Sequence, residues 1–163
     1  MPGLGPPGTA VPLSAKERRI HRWGHRRVVV RDESMVPTLL PGDRLRVDTR
    51  AFMTEPPRIG DLVVLVDPVE PSRWLVKRVA AIGPAELWRT RTGTRARSSP
   101  STNEGDTPAD VVEEIALPTG TIYVVSDGTG PTRDSRSFGP VPQTDLIGRV
   151  YARYYPPGRR GAL

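Results

Sequence analysis

A serine and a lysine form the most informative chemical pair in this chain. Ser34 comes shortly after the apolar stretch Val28–Val30 and enters a turn that contains Pro37. A proline restricts the residue before it to extended backbone, which stiffens the turn around the serine hydroxyl. The backbone N–H of Ser34 could also donate to an oxyanion. Because a free hydroxyl is a weak nucleophile, this interpretation requires a base nearby.

Lysine is a better candidate for that base than histidine. His21 and His25 lie close together in a basic N-terminal stretch without an adjacent glutamate, so neither a Ser-His-Asp triad nor a metal site is predicted there. In a strand, Leu75, Lys77 and Val79 share one face. Desolvation by apolar neighbours lowers the pKa of a lysine, and a neutral amine can accept a serine proton. Arginine, which is far more frequent in this chain, cannot do this.

A third polar segment follows a later apolar run. Ser126-Asp127-Gly128 ends that run, and Asp134 and Arg136 come shortly after it. A carboxylate and a guanidinium at this spacing predict an ion pair that fixes the loop.

The secondary-structure pattern favours a mainly β domain, either a folded sheet or a partly closed barrel. The 19 prolines and 16 glycines favour strands with long loops over a helical bundle. The predicted strands are Val28–Val30, Arg44–Asp48, Leu62–Val66, Trp74–Ala81, Val111–Leu117, Thr121–Val125 and Leu146–Tyr155.

The chain divides into an arm, one domain and a tail. Residues 1–27 predict a disordered, basic arm with a short helix at 14–23, where a capping-box pattern precedes a glycine. Residues 28–155 predict the folded domain, with 89–110 as an exposed loop insertion. The segment 156–163 predicts a loose tail.

Composition excludes several classes of site and partner. Without cysteine there are no disulfides or thiolate sites, and no cofactor is predicted. No apolar run approaches the roughly 20 residues of a membrane helix, so a soluble, cytoplasmic chain is expected. The net charge of +6 permits peripheral contact with a membrane but does not by itself choose a partner.

Four sequence blocks, in this order, resemble signal peptidase I. No block is diagnostic alone, but their order is specific, and the resemblance covers about residues 28–155. The blocks are Ser34-Met35-Val36-Pro37-Thr38-Leu39 with Gly42-Asp43, Gly60-Asp61-Leu62-Val63-Val64, Val76-Lys77-Arg78-Val79, and Asp134-Ser135-Arg136 with Phe138-Gly139.

The resemblance implies coiled antiparallel sheets and a Ser/Lys endopeptidase that removes a leader from a precursor protein. Ser34 would attack the scissile carbonyl, and Lys77 would be its base. By this resemblance, the residues that line the active site and its oxyanion hole would be Ser34, Met35, Asp32 and Ser126. The residues that support the site would be Arg78, Thr132, Asp134, Ser135 and Arg136. Among these, Arg78, Asp134 and Arg136 would form one ion-pair network, and Thr132 would orient the lysine.

Three departures from the family pattern matter. One is that Ser126-Asp127-Gly128 stands where the family has Gly-Asp-Asn. Asp32 stands where the family usually has serine or glycine; an ionised carboxylate cannot donate to an oxyanion and would repel it. No anchoring membrane helix is recognised. The short form and the approach Arg27-Val28-Val29-Val30 resemble the soluble maturation proteases of nickel-type superoxide dismutase, which trim an N-terminal extension.

Two alternatives remain open from the sequence. The first is an autopeptidase like the SOS repressors, with a nucleic-acid-binding arm; about 27 residues are too few for a dimerising helix-turn-helix module, so nucleic-acid binding is not predicted. The second is a catalytically weak binding module on the same scaffold, which Asp32 motivates. Labelling of Ser34 by an acylating probe separates this second alternative from an active peptidase.

Overall fold

The computed structural model describes residues 24–90, 93–96 and 111–163. Within them, strands dominate and both α-helices are short, α1 at Ala51–Thr54 and α2 at Ser135–Phe138. None of the described helices has the length and apolar character needed to cross a membrane. The strands are β1 His25–Val29, β2 Arg44–Asp48, β3 Leu62–Val66, β4 Trp74–Ile82, β5 Ala85–Thr90, β6 Gly93–Ala96, β7 Val111–Leu117, β8 Thr121–Val125, β9 Val141–Pro142, β10 Leu146–Tyr155 and β11 Gly161–Ala162.

Two antiparallel sheets contain all of these strands. The larger sheet has eight strands in the order β1-β2-β10-β3-β4-β8-β9, with β11 paired to β10. The smaller sheet has the order β6-β5-β7. Strand β10 carries register shifts against both β2 and β3. Irregularities of this kind bend a strand and increase its twist.

The alternation of side chains explains how the larger sheet is built. Leu45 and Val47 of β2 are buried, while the arginines beside them are exposed. Strand β3 lies between β10 and β4 and is buried almost throughout, as its unbroken apolar sequence requires. Strand β4 buries every second residue, which places Lys77 on the same inner face as Leu75 and Val79.

Three clusters of apolar side chains form the core. One contains Met35 and Leu39 from the turn after β1, packed with residues of β2, β3 and β10. The second lies between β3, β4, β8 and β10, and the third joins the end of β4 to the smaller sheet through Tyr123 and Leu87. Val30 of the first cluster precedes Ser34, so the turn is anchored in the core on both sides of the serine.

The structure corrects the expected domain boundaries at two places. The loop expected at 89–110 contains the end of β5 and all of β6, whereas residues 97–110 lie outside the described part. The end of β5 and the whole of β6 were missed because their sequence, rich in arginine and threonine, offers little apolar alternation. The tail expected at 156–163 is also not loose: β11 pairs with β10, and Arg159 bonds Asp43 at 3.2 Å.

Of the arm expected at 1–27, the structure describes only residues 24–27. Strand β1 begins at His25, three residues before the expected domain boundary, and pairs with β2 along its whole length. The helix expected at 14–23 lies outside the described residues. Five strands, β2, β3, β7, β8 and β10, have the bounds that the sequence predicts.

Candidate active site

Ser34 lies in a tight turn that its own backbone and the core hold in place. The N–H of Val36 donates to the carbonyl of Glu33 at 3.1 Å, and the N–H of Leu39 donates to that of Met35 at 2.8 Å. Met35 and Leu39 are 1% and 0% exposed, so they fix the turn from below. Met35, expected to line the site, does so at the border of a cleft while packing mainly in the core.

The structure brings Ser34 and Lys77 together. Lys77 Nζ donates to Ser34 Oγ at 2.8 Å, although the two residues are 43 positions apart. Lys77 is only 2% exposed and pairs across the sheet with Val63 of β3. The amine is therefore held by a strand whose position is set on both edges, which fixes its distance from the hydroxyl.

The surroundings of Lys77 favour its neutral form. Burial lowers the pKa of Lys77 below its ordinary value, against the opposing charges of Asp32 and Asp134. Since desolvation outweighs these two carboxylates, the amine loses its proton more readily than a surface lysine does. That is the property required of a general base.

Asp134 is the centre of the loop that follows β8. It is fully buried and caps α2, where its carboxylate accepts from the N–H of Arg136 at 3.0 Å and from Arg136 Nη2 at 2.6 Å. The N–H of Ser126 donates to the same carboxylate at 2.8 Å. Burial alone would raise the pKa of Asp134, but the hydrogen bonds from Arg136 and Ser126 lower it to about 2.

Thr132 and Ser135 support the same loop. Thr132 Oγ1 donates to Asp134 Oδ2 at 3.2 Å and accepts from Arg136 Nη2 at 3.2 Å. Ser135 Oγ accepts from the N–H of Val124 at 2.9 Å, which ties the start of α2 to β8. These bonds give Thr132 a part in holding Asp134, and the lysine-orienting role implied by the resemblance stays a prediction.

Arg78 does not join Asp134 and Arg136 in one network, contrary to expectation. Its guanidinium bonds both carboxylate oxygens of Asp127, at 2.8 and 2.6 Å, and donates to the carbonyl of Gly60 at 2.8 Å. Arg78 points to the opposite face of β4 from Lys77, which explains why it meets a different carboxylate. The sequence marks Asp127 as part of the third polar segment but not as the partner of Arg78, because only the register of β4 against β8 brings the two together.

Asp32 makes two contacts that the sequence did not predict. Its Oδ1 accepts the N–H of Ser34 at 3.1 Å, and its Oδ2 lies 3.7 Å from Arg73 Nη2. Arg73 was not singled out from the sequence; it lies in the loop before β4, where nothing in its neighbourhood marks it. The N–H expected to serve an oxyanion is therefore engaged by a carboxylate.

Gly128 lets the loop after β8 approach the serine turn closely. Its N–H donates to the carbonyl of Ser34 at 2.8 Å, and a Cβ at this position would lie 2.9 Å from the carbonyl oxygen of Glu33. Such a contact forces one of the two backbones to move. The glycine at this place is thus required by the close approach of two loops.

Two clefts meet at the Ser34–Lys77 pair. A cleft of about 660 Å³ runs from Asp32, Ser34 and Lys77 to the loop 128–132. A second of about 340 Å³ lies on the other side, against β1 and Trp74. An extended chain that crosses from one cleft to the other would pass over the serine hydroxyl. Among the described residues no group of three or more His, Cys, Asp or Glu side chains could hold a metal ion.

Ser126, expected to line the site, has a hydroxyl that is buried without a hydrogen-bond partner among the described residues. A buried unsatisfied hydroxyl costs free energy, so Ser126→Ala should leave the free energy of unfolding unchanged or raise it by about 1 kcal/mol. Urea denaturation of the two proteins measures this. A loss of more than about 1 kcal/mol would mean that the hydroxyl makes a bond in solution.

Comparisons with known proteins agree with this geometry. Residues 23–155 match the family described as signal peptidase, peptidase S26. This chain belongs to the signal peptidase S26 family. It is accordingly a serine endopeptidase of the kind that cleaves leader peptides from precursor proteins. The family match spans the turn of Ser34, the strand of Lys77 and the Asp134 loop.

Individual relatives lie at moderate distance. The chain is 29% identical over 141 residues to a probable signal peptidase I-1 of Synechocystis, across 80% of this chain and 71% of that protein. It is 32% identical over 132 residues to subunit 1b of a mitochondrial ATP-independent inner membrane protease of Arabidopsis thaliana, across 76% and 66%. A signal peptidase I structure from Enterococcus faecalis superposes with a TM-score of 0.43 at 20% identity, over 58% of this chain and 97% of that one.

Proposed function

We propose that Ser34 is the nucleophile and Lys77 the general base of this leader-removing peptidase. The observation that carries the proposal is the 2.8 Å bond between a hydroxyl at the meeting point of two clefts and a buried amine. Nucleophile and base within hydrogen-bond reach, with the base fixed by its own surroundings, is the arrangement that activates a serine.

The reaction follows from the protonation state of the amine. With Lys77 neutral, Ser34 Oγ–H donates to Nζ, and Oγ attacks the scissile carbonyl carbon as the proton moves to Lys77. The tetrahedral intermediate collapses, the C–N bond breaks, and the ammonium of Lys77 returns its proton to the leaving amine. Water, deprotonated by the same amine, then attacks the carbonyl carbon of the Ser34 ester. The C–Oγ bond breaks, the ammonium of Lys77 returns the proton to Ser34 Oγ, and the acid product leaves.

The supporting residues hold the walls of the site in place and do not transfer protons. Asp134 and Arg136 hold the loop that forms one wall of the larger cleft. Arg78 joins β4 to the end of β8 through Asp127, which itself borders that cleft. These pairs favour a rigid wall against which an extended substrate can lie. Their loss should raise KM and lower stability more than it changes the chemistry at Ser34.

A test uses the serine directly. The protein is incubated with an acylating serine probe and, separately, with a peptide that spans a leader cleavage site. The wild type should be labelled on Ser34 and cleave the peptide, whereas Ser34→Ala should do neither and lose at least about 10³-fold in kcat/KM. Ser137→Ala, a serine whose Oγ donates to the carbonyl of Asp134, is the control. Labelling that persists in Ser34→Ala would contradict the assignment.

The sequence before the serine supports a more specific substrate class. The approach Arg27-Val28-Val29-Val30 supports processing of the N-terminal extension of a nickel-type superoxide dismutase precursor. None of the relatives named above carries that activity in its name. Parallel assays with a peptide from such a precursor and one from a secretory signal sequence decide between the two. Faster cleavage of the secretory peptide would overturn the narrower assignment.

A further inference from the structure

The backbone N–H of Ser34 is occupied in the free protein. Asp32 Oδ1 accepts this N–H at 3.1 Å. When a serine attacks a carbonyl, the developing oxyanion needs donors next to the nucleophile, and the amide of the serine itself is one of the nearest. The carboxylate of Asp32 therefore stands where a substrate carbonyl oxygen would have to be received.

We propose that Asp32 is a positioning residue that blocks the oxyanion site in the free protein and moves toward Arg73 when substrate binds. The inference rests on the proposed roles of Ser34 and Lys77. In the closed position Oδ1 holds the Ser34 N–H, and in the open position the carboxylate pairs fully with Arg73. Opening frees the amide and moves a negative charge away from the oxyanion.

Arg73 is placed to receive the carboxylate. Its Nη2 lies 3.7 Å from Asp32 Oδ2, so a small rotation closes the ion pair. The side chains of Asp32 and Arg73 are about half exposed, at 53% and 49%, and can move without disturbing the core. Both residues border both clefts, which is where an arriving peptide would contact them.

Movement, rather than protonation, is the route by which Asp32 can release the amide. Burial raises the pKa of Asp32, but its bonds with Ser34 and the charges of Lys77 and Arg73 outweigh burial and hold that pKa below the ordinary value. Asp32 therefore stays ionised at and above the pH at which an ordinary aspartate loses its proton.

The turn itself does not depend on Asp32. The bond from Val36 N–H to Glu33 and the bond from Gly128 N–H to Ser34 remain when the carboxylate is removed. Met35 and Leu39 still anchor the turn in the core. Asp32→Ala should consequently fold and free the amide, and Asp32→Ser is a second variant that restores a small polar side chain at this position.

The first experiment compares Asp32→Ala with wild type on a leader peptide over a full pH range. Removing Asp32 also removes a charge that raises the pKa of Lys77, so the pH profile of cleavage should move to lower pH. For this reason only the plateau values of kcat are compared. One oxyanion donor is worth about 10²–10³ in kcat, so a partly effective block predicts a plateau about 10-fold higher. Glu33→Ala removes a neighbouring charge that does not bond the Ser34 amide and should not raise the plateau.

A second experiment isolates the role of Arg73. Arg73→Ala should lower the plateau several-fold in the wild type because the carboxylate loses its open position. In the Asp32→Ala background the same change should have almost no effect. Equal factors in both backgrounds would overturn the inference, since Arg73 would then act on substrate or on Lys77 without Asp32.

A readout without turnover tests the closed state and separates the two proposals. Hydrogen exchange at the Ser34 amide should accelerate in Asp32→Ala, while exchange at the Val36 amide, which bonds Glu33, should not change. Two results together would overturn the proposed block by Asp32 and leave the proposed function standing. They are labelling of Ser34 in the wild type and a plateau kcat of Asp32→Ala that is no higher than that of the wild type. Failure to label Ser34 in either protein overturns the proposed function as well.

Discussion

Replacing Lys77 by methionine is expected to abolish peptide cleavage while leaving the fold intact. The loss in kcat/KM should be about 10³-fold or more, because the serine proton then has no acceptor within hydrogen-bond reach. Methionine has a similar length and no charge, and Lys77 is 2% exposed among apolar neighbours. The free energy of unfolding should therefore stay the same or rise by about 1 kcal/mol.

Lys77→Arg is the control for charge. It keeps a cation at this position but offers no lone pair at any accessible pH, so it too should be inactive. If either variant retained more than about a tenth of the wild-type rate, far above what loss of a general base permits, Lys77 would not be the base. Peptide cleavage by chromatography, with thermal unfolding in parallel, provides both measurements.

The pH dependence of the wild type follows from the same lysine. Burial lowers the pKa of Lys77 below 10.5, so cleavage should increase with pH and reach half its plateau at a pH below 10.5. Between the folded-state pKa and 10.5 the unfolded chain binds more protons than the folded one, so folding stability rises with pH in this window. Lys77→Met lacks this rise. The stability difference between the two proteins should thus shrink as pH increases.

The proposed pair of Ser34 and Lys77 could be predicted because local sequence marks each member and the order of the family blocks connects them. The alternation of Leu75, Lys77 and Val79 places the amine on an apolar face, and the proline turn marks Ser34. Strands such as Leu62–Val66 could be predicted for the same reason, since burial on both faces requires an unbroken apolar run.

What could not be predicted depends on contacts between distant segments. The pairing of Arg78 with Asp127 needs the register of β4 against β8, which no local pattern contains. The bond from Ser34 N–H to Asp32 depends on the backbone conformation of the turn. The residue types alone do not determine whether the Asp32 side chain points toward the serine or toward solvent. Strand β6 was missed because its sequence, Gly-Thr-Arg-Ala, shows no alternation of apolar and polar residues.

Asp134→Asn should produce a large loss of folding stability. The carboxylate is fully buried and accepts from Ser126 N–H and from both the backbone and the guanidinium of Arg136. An amide in its place offers one acceptor oxygen and turns an NH₂ group toward these donors. The expected loss is about 2–3 kcal/mol, the size found for hydrogen bonds to a buried charged group.

The pH dependence of that loss distinguishes a charge effect from a packing effect. The pKa of Asp134 is about 2 in the folded protein against 3.8 for the ordinary group, so its contribution is complete above about pH 4 and disappears as pH falls toward 2. The gap between wild type and Asp134→Asn in urea denaturation should therefore close over this range. Glu55→Gln, in an exposed pair with Arg58, should cost less than about 1 kcal/mol at any pH. A gap that stays constant down to pH 2 would mean that the shape of the side chain, and not its charge, holds the loop beside Ser34.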